Sequence, residues 1–151
     1  MAQLSIGLGL KSYDIVDADS GALMGTIRIN PADLGLVPRW KEAEAKIKDL
    51  ASALPTGDDD ATITAIGELD KQVKAQIDYA FGAPVSAVLF GGMSSLAMCD
   101  DGRMVLENVL ESLAPIIKEA QETAVEAGQH RVAERTKKYQ GTALGLAPGQ
   151  K

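Results

Sequence analysis

The sequence predicts a mainly α-helical single domain with a small N-terminal β-hairpin, an α+β chain whose helices pack antiparallel and whose last helix is long. A length of 151 residues suits one domain. Aromatic residues make up only 4% of the chain, so the core must be aliphatic, which suits packed helices. Apolar residues recur every three or four positions over three long stretches. We expect residues 1–127 to form the domain and residues 128–151 an extended helix end with a flexible tail.

The first predicted element is a hairpin over residues 12–30, "SYDIVDADSGALMGTIRIN". Tyr13 and Ile15 alternate with polar residues on one strand, Ile27 and Ile29 do so on the other, and "DADSG" is typical of a turn. A two-stranded ribbon is marginal alone, so its apolar face must cover the rest of the protein or a neighbouring subunit. We therefore expect these four side chains to support self-association into a homo-oligomer.

Two amphipathic helices are predicted next. The first begins near Pro38, because proline suits the first turn of a helix. It ends before Pro55 and Gly57, because proline and glycine interrupt helices. The second begins at "GDDDAT", where acidic residues complement the helix dipole, and continues to Phe81. The apolar stripes are Trp40, Ala43, Ile47, Leu50 and Leu54 in the first helix, and Ile63, Ile66, Leu69, Val73, Ile77 and Phe81 in the second.

An apolar stretch bracketed by glycines, "FGAPVSAVLFGG", comes at the end of the second helix, and the methionine-containing segment "MSSLAMCDDGRM" after it leads into a third helix. The glycines allow sharp turns between helical layers, and the methionines adapt to apolar partners of different shapes. Two interpretations stay open: these side chains fill gaps in the core, or they line a groove that receives an amphipathic helix from another protein. The candidate partner-binding residues are Phe81, Phe90, Met93, Met98 and Met104.

A third helix is predicted from a strong apolar stripe that runs from Leu106 to Ala120, with a kink at Pro115. Beyond Ala120 the stripe thins, which indicates a helix that is solvated or that awaits a partner. The glycine and small-residue content of residues 140–151 is typical of a flexible tail.

Charge and cysteine content exclude several classes of protein. A net charge of -6 disfavours nucleic acid, since phosphates would be repelled on average. A single cysteine, Cys99, forms no internal disulfide and suits a reducing compartment. No apolar run approaches the ~20 residues of a membrane span, and no signal-peptide pattern is present. We expect a cytoplasmic protein without a membrane partner.

No motif indicates catalysis, a cofactor or a metal. "DADSG" begins like a calcium loop, but Ala22 stands where such a loop needs glycine and Arg28 where it needs an acid. "GLGLKS" has no Gly-Lys-Ser/Thr element, follows no strand, and precedes a strand where a phosphate loop would open a helix. Cys99 and His130 have no metal-ligand spacing, and a nucleophile pair would require them to meet in space. We predict that the protein is not an enzyme and holds no cofactor or metal.

The order of features resembles the tail assembly chaperones of long-tailed bacteriophages and prophages, small proteins encoded ahead of the tape measure gene. The segments that carry the resemblance are "GTIRINP", "RWKEAEAKIKDL", "IDYAFG", "VLFGGMSSLA" and "GRMVLENVLESLAPII", and it covers residues 13–120.

The resemblance implies a mainly helical, non-enzymatic protein of the bacterial host's cytoplasm. It would bind the helical tape measure protein, and other tail proteins, and keep the tape measure protein soluble before the tail tube polymerises. It assigns no residue a chemical role. The alternative is a structural virion component, such as a tail terminator or head-tail connector subunit, but such components usually carry more β-structure than one hairpin.

Overall fold

The structure is a computed structural model that describes the backbone of residues 1–144 and the side chains of residues 1–138. It confirms the predicted class, because a two-stranded antiparallel hairpin is followed mostly by helices. The elements are β1 (Lys11–Val16), β2 (Leu23–Ile29), α1 (Leu36–Ser52), α2 (Asp60–Phe81), α3 (Ser86–Leu89) and α4 (Val105–Leu144). Of these, only the four-residue α3 is absent from the sequence prediction.

The hairpin has the predicted strands and turn. Tyr13 lies opposite Ile27, and a register shift follows Ile15. The carboxylate of Asp17 accepts hydrogen bonds from the backbone N–H groups of Asp19 and Ser20 and from the Ser20 hydroxyl, at 3.4, 3.3 and 2.7 Å. Asp17 therefore closes the turn, as aspartate commonly does.

α1 and α2 form an antiparallel pair at the centre of the core. The beginning of α1 meets the end of α2, since the Arg39 Nε donates to the Ala80 carbonyl at 3.0 Å and the Trp40 and Phe81 rings lie 5.8 Å apart. α1 begins two residues before Pro38, because the Asp33 carbonyl accepts from the Leu36 N–H and opens the first turn early. α2 begins as predicted, with the Asp59 side chain accepting from the Thr62 N–H at 3.1 Å.

α4 is a continuous helix of 40 residues that runs through Pro115 and is about 60 Å long. Its inner part packs on the core through a buried stripe of Leu106, Val109, Leu113, Ile117 and Ala120. Residues 140–144, predicted as tail, belong to this helix, because one internal glycine costs a helix only about 1 kcal/mol. The rest of the predicted tail, 145–151, lies outside the described residues. No helix in the described part of the chain is long and apolar enough to cross a membrane.

Candidate partner-binding surfaces

Two aspartates of α2 hold the connector, defined here as residues 82–97. The Asp78 carboxylate accepts from the Ser86 N–H and hydroxyl at 2.7 and 2.8 Å. About two turns earlier in α2, the Asp70 Oδ1 accepts from the N–H and hydroxyl of Ser95, both at 2.7 Å. Ser95 is completely buried. The connector is therefore fixed against α2 at two points, eight residues apart on that helix.

The contact at Asp70 also includes an ion pair. The Lys74 Nζ lies 3.1 Å from the Asp70 Oδ2, donates to the Met93 carbonyl at 2.8 Å and lies 5.6 Å from the Phe90 ring centre. Burial raises the pKa of Asp70, but the hydrogen bonds from Ser95 and the contact with Lys74 outweigh it, so the net pKa is below the ordinary 3.8. Asp70 thus stays ionised while it anchors the connector.

The five candidate partner-binding residues of the sequence analysis differ in their exposure to solvent. Phe81 and Phe90 pack in the core, and only 2% of Phe90 is exposed, so neither lines an open groove. Met104 is half-buried against the core. Met93 and Met98 are exposed by 57% and 65%. Phe81 faces inward as the last buried residue of α2, and the anchoring of the connector places Phe90 in the core and leaves Met93 outside.

One exposed methionine near the connector was missed by sequence reasoning. Met24 of β2 lies against Gly91, where an added Cβ would come within 2.9 Å of the methionine methyl group. Its outward position in the alternating pattern of β2 was the available signal, but only the fold brings it beside the connector. We call Met24, Met93 and Met98 the methionine surface.

The hairpin face expected to support self-association is covered by the chain itself. Ile27 and Ile29 are buried in the core, and Tyr13 and Ile15 are half-buried against it. The helices thus supply the cover that a two-stranded ribbon needs. These four side chains do not form an exposed face.

The outer part of α4, residues 125–138, presents its side chains to solvent. Val125 and Val132 are each more than half exposed and lie seven residues apart, on one side of the helix. With Ala124, Gly128, Gln129 and Ala133 they line a shallow depression of about 470 Å³. At 3.6 residues per turn, these two valines form a separate and weaker apolar strip, rotated by about 100° around α4 from its buried stripe.

A cavity of about 760 Å³, lined mostly by polar residues, lies between the hairpin turn and the start of α4. Its acidic lining includes Asp17, already engaged by its own turn, and Glu111, which is paired with Arg103. The hydrogen bond and charge of Glu111 raise the pKa of Arg103. No group of three or more His, Cys, Asp or Glu side chains among residues 1–138 is arranged to hold a metal ion.

Cys99 and His130 do not form a pair. The Cys99 thiol accepts from the Asn108 amide at 3.3 Å, near the start of α4. His130 lies 25 residues beyond Val105, about 37 Å along the helix, beside Glu134 at 3.1 Å. A shared nucleophilic mechanism needs contact between the two groups, which this arrangement does not provide.

Comparison of the chain with protein-family models, curated proteins and solved structures finds no match.

Proposed function

We propose that the protein is a tail assembly chaperone of a long-tailed bacteriophage, a non-enzymatic protein that binds the helical tape measure protein in the host cytoplasm. The resemblance of residues 13–120 to that family suggests the function. The single observation that supports it best is the outer part of α4, a helix face with apolar side chains that the core leaves uncovered.

A long helical client suits this surface. The spacing of three and four residues between Val125, Gly128 and Val132 is typical of a helix face that packs against another helix. Because Gly128 has no side chain, a partner helix can approach closely there. The exposed apolar area is modest, so a single contact would be weak. Many copies bound along one extended client would hold it through avidity.

The methionine surface is a second contact in this proposal. Met93 and Met98 are unbranched and exposed, and the backbone is held at both, by Lys74 at the Met93 carbonyl and by a β-bridge between Met98 and Met104. They therefore offer adaptable apolar area at little cost in loop ordering. The positions of client residues along an extended helix vary, and methionine tolerates that variation.

Co-expression with the tape measure protein encoded beside its gene tests the proposal. The wild-type chain should keep the client in the soluble fraction and co-purify with it. Replacing both Val125 and Val132 with Ser should lower the amount of soluble client several-fold. Ile63→Ser is the matched control, because Ile63 is equally exposed but lies at the start of α2.

Two results would contradict the proposal. One is a tape measure protein whose solubility does not change when the wild-type chain is present. The other is stoichiometric recovery of the chain in mature virions without any soluble complex, which would favour the tail terminator or connector alternative.

A further inference from the structure

Residues 4–8 have the side-chain pattern of a β-strand without a strand partner. Leu4, Ile6 and Leu8 alternate with Ser5 and Gly7, and their exposed fractions are 87%, 72% and 62%. A period of two places these three apolar side chains on one face of an extended chain. Such a face needs a cover that the segment does not have here.

The chain's own hairpin cannot supply the partner strand. β2 ends at Ile29, directly opposite Lys11, and the chain then turns into α1. Gly9, with φ +66°, bends residues 4–8 out of line with β1. Within the described part of the chain, the only hydrogen bond to residues 1–10 is the one from the Asn30 amide to the Leu8 carbonyl, at 3.0 Å.

We propose that residues 4–8 pair antiparallel with the same residues of a second copy, about a two-fold axis at Ile6. The segment is self-complementary, because this register places Leu4 opposite Leu8 of the other copy, Ile6 opposite Ile6, and Ser5 opposite Gly7. A two-fold interface of this kind uses the same patch on both copies and closes on itself.

The observed backbone direction agrees with this register. The Leu8 carbonyl points at Asn30 of its own chain. Backbone groups of successive residues alternate in direction along a strand, so residues 4, 6 and 8 all direct theirs toward their own chain and away from the partner strand. Ser5 and Gly7 direct theirs toward the partner strand and exchange hydrogen bonds across the interface. Ile6 and its counterpart form a pair without hydrogen bonds, the type in which side chains approach most closely.

Two paired segments alone would form a two-stranded ribbon, which is marginal in water. An apolar cavity beside the segment gives this ribbon a surface to pack against. It measures about 510 Å³, and its apolar lining comes from Leu8, Leu10, Ile29, Leu36 and Phe81. In the proposed register, Leu4 of the second copy lies next to Leu8, at the edge of this cavity. Each copy would therefore cover apolar surface of the other.

Charge favours a second copy of this chain as the occupant. Residues 2–10 contain no charged side chain, although the whole chain carries -6. Two copies can therefore approach through this segment without bringing like charges together, whereas most of the remaining surface is acidic on average.

Disulfide trapping tests the register. In a Cys99→Ser background, Ile6→Cys should form a crosslinked dimer under mild oxidation, because directly opposed residues of this type lie within disulfide reach. Ser5→Cys, opposite Gly7, and Leu54→Cys, on a distant exposed site, are the matched controls. Both should crosslink at least tenfold more slowly than Ile6→Cys.

Sedimentation of the full chain tests the interface independently. At about 100 μM, well above the micromolar range of weak complexes, the wild type should be dimeric or larger. Ile6→Asp should sediment as a smaller species, and Leu54→Asp should behave as the wild type. A monomeric wild type, an unchanged Ile6→Asp variant, or equal crosslinking rates for Ile6→Cys and Leu54→Cys would each overturn the inference. Client binding through α4 does not enter any of these measurements.

Discussion

Two stretches of this chain look alike in sequence and behave differently in the fold. The connector, residues 82–97, and the N-terminal residues 4–10 are both apolar, glycine-containing and poor in charge. Phe90 of the connector is among the most buried side chains, whereas Leu4 is almost fully exposed. Apolar composition alone therefore does not determine burial.

The difference lies in polar anchors. Ser86 and Ser95 fix the connector to α2 through the carboxylates of Asp78 and Asp70. The connector also continues directly from α2, and its last residue, Ala97, accepts a hydrogen bond from the Val105 N–H at the start of α4. Residues 4–10 have one anchor, Asn30, at their C-terminal side. A segment held at several points can bury its large side chains against the core, because the ordering cost is shared among those contacts.

The largest expected effect is the loss of the buried ring of the connector. Phe90→Ala should lower the free energy of unfolding by about 3–5 kcal/mol, because it leaves a cavity in the core. Leu4→Ala, measured at a concentration low enough to avoid self-association, should change it by no more than about 0.5 kcal/mol. Urea denaturation of both variants checks the comparison, and a Phe90→Ala loss under about 1 kcal/mol would contradict it.

The next effect concerns the anchor. Asp70→Ala leaves the buried N–H and hydroxyl of Ser95 without their acceptor, which should lower the free energy of unfolding by about 1–3 kcal/mol. Glu68→Ala on the same helix is the control, since its contact with Lys71 is exposed and contributes little. Equal denaturation midpoints for the two variants would show that the anchor does not stabilise the connector.

The anchor should also respond to pH. Because the pKa of Asp70 is lower in the folded protein than in the unfolded chain, its contribution to stability is present above the ordinary value of 3.8 and is lost as the pH falls through the folded pKa. As the pH is lowered from 5 to 2, the melting temperature should fall less steeply for Asp70→Asn than for the wild type. Parallel curves for the two proteins would mean that Asp70 does not account for this dependence.

The hairpin and the long helices could be predicted from the sequence because their signals are local. Alternation at Tyr13 and Ile15 marks a strand, and the spacing of Val73, Ile77 and Phe81 marks one helix face. The cover of the hairpin face could not be predicted, because alternation indicates a face that is buried but not whether the same chain buries it.

The fate of the connector could not be predicted for a related reason. Its path depends on Asp70 and Asp78, which in the sequence look like ordinary polar positions of an amphipathic helix. Their partners, Ser86 and Ser95, lie in a stretch without helical or strand period. Only the pairing of these distant residues turns Phe90 inward and leaves Met93 outside.

The smallest expected effect on stability is at the methionine surface, and it separates the connector's two sides. Replacing both Met93 and Met98 with Ser should change the free energy of unfolding by no more than about 0.5 kcal/mol per site, because both side chains are already largely in water. Soluble client in the co-expression assay should nevertheless decrease, since the proposed contact loses its apolar area. Phe90→Ala is the contrasting case, in which any loss of client binding follows from the loss of stability. If the double variant melts like the wild type and still keeps the client soluble, the methionine surface is not a client contact.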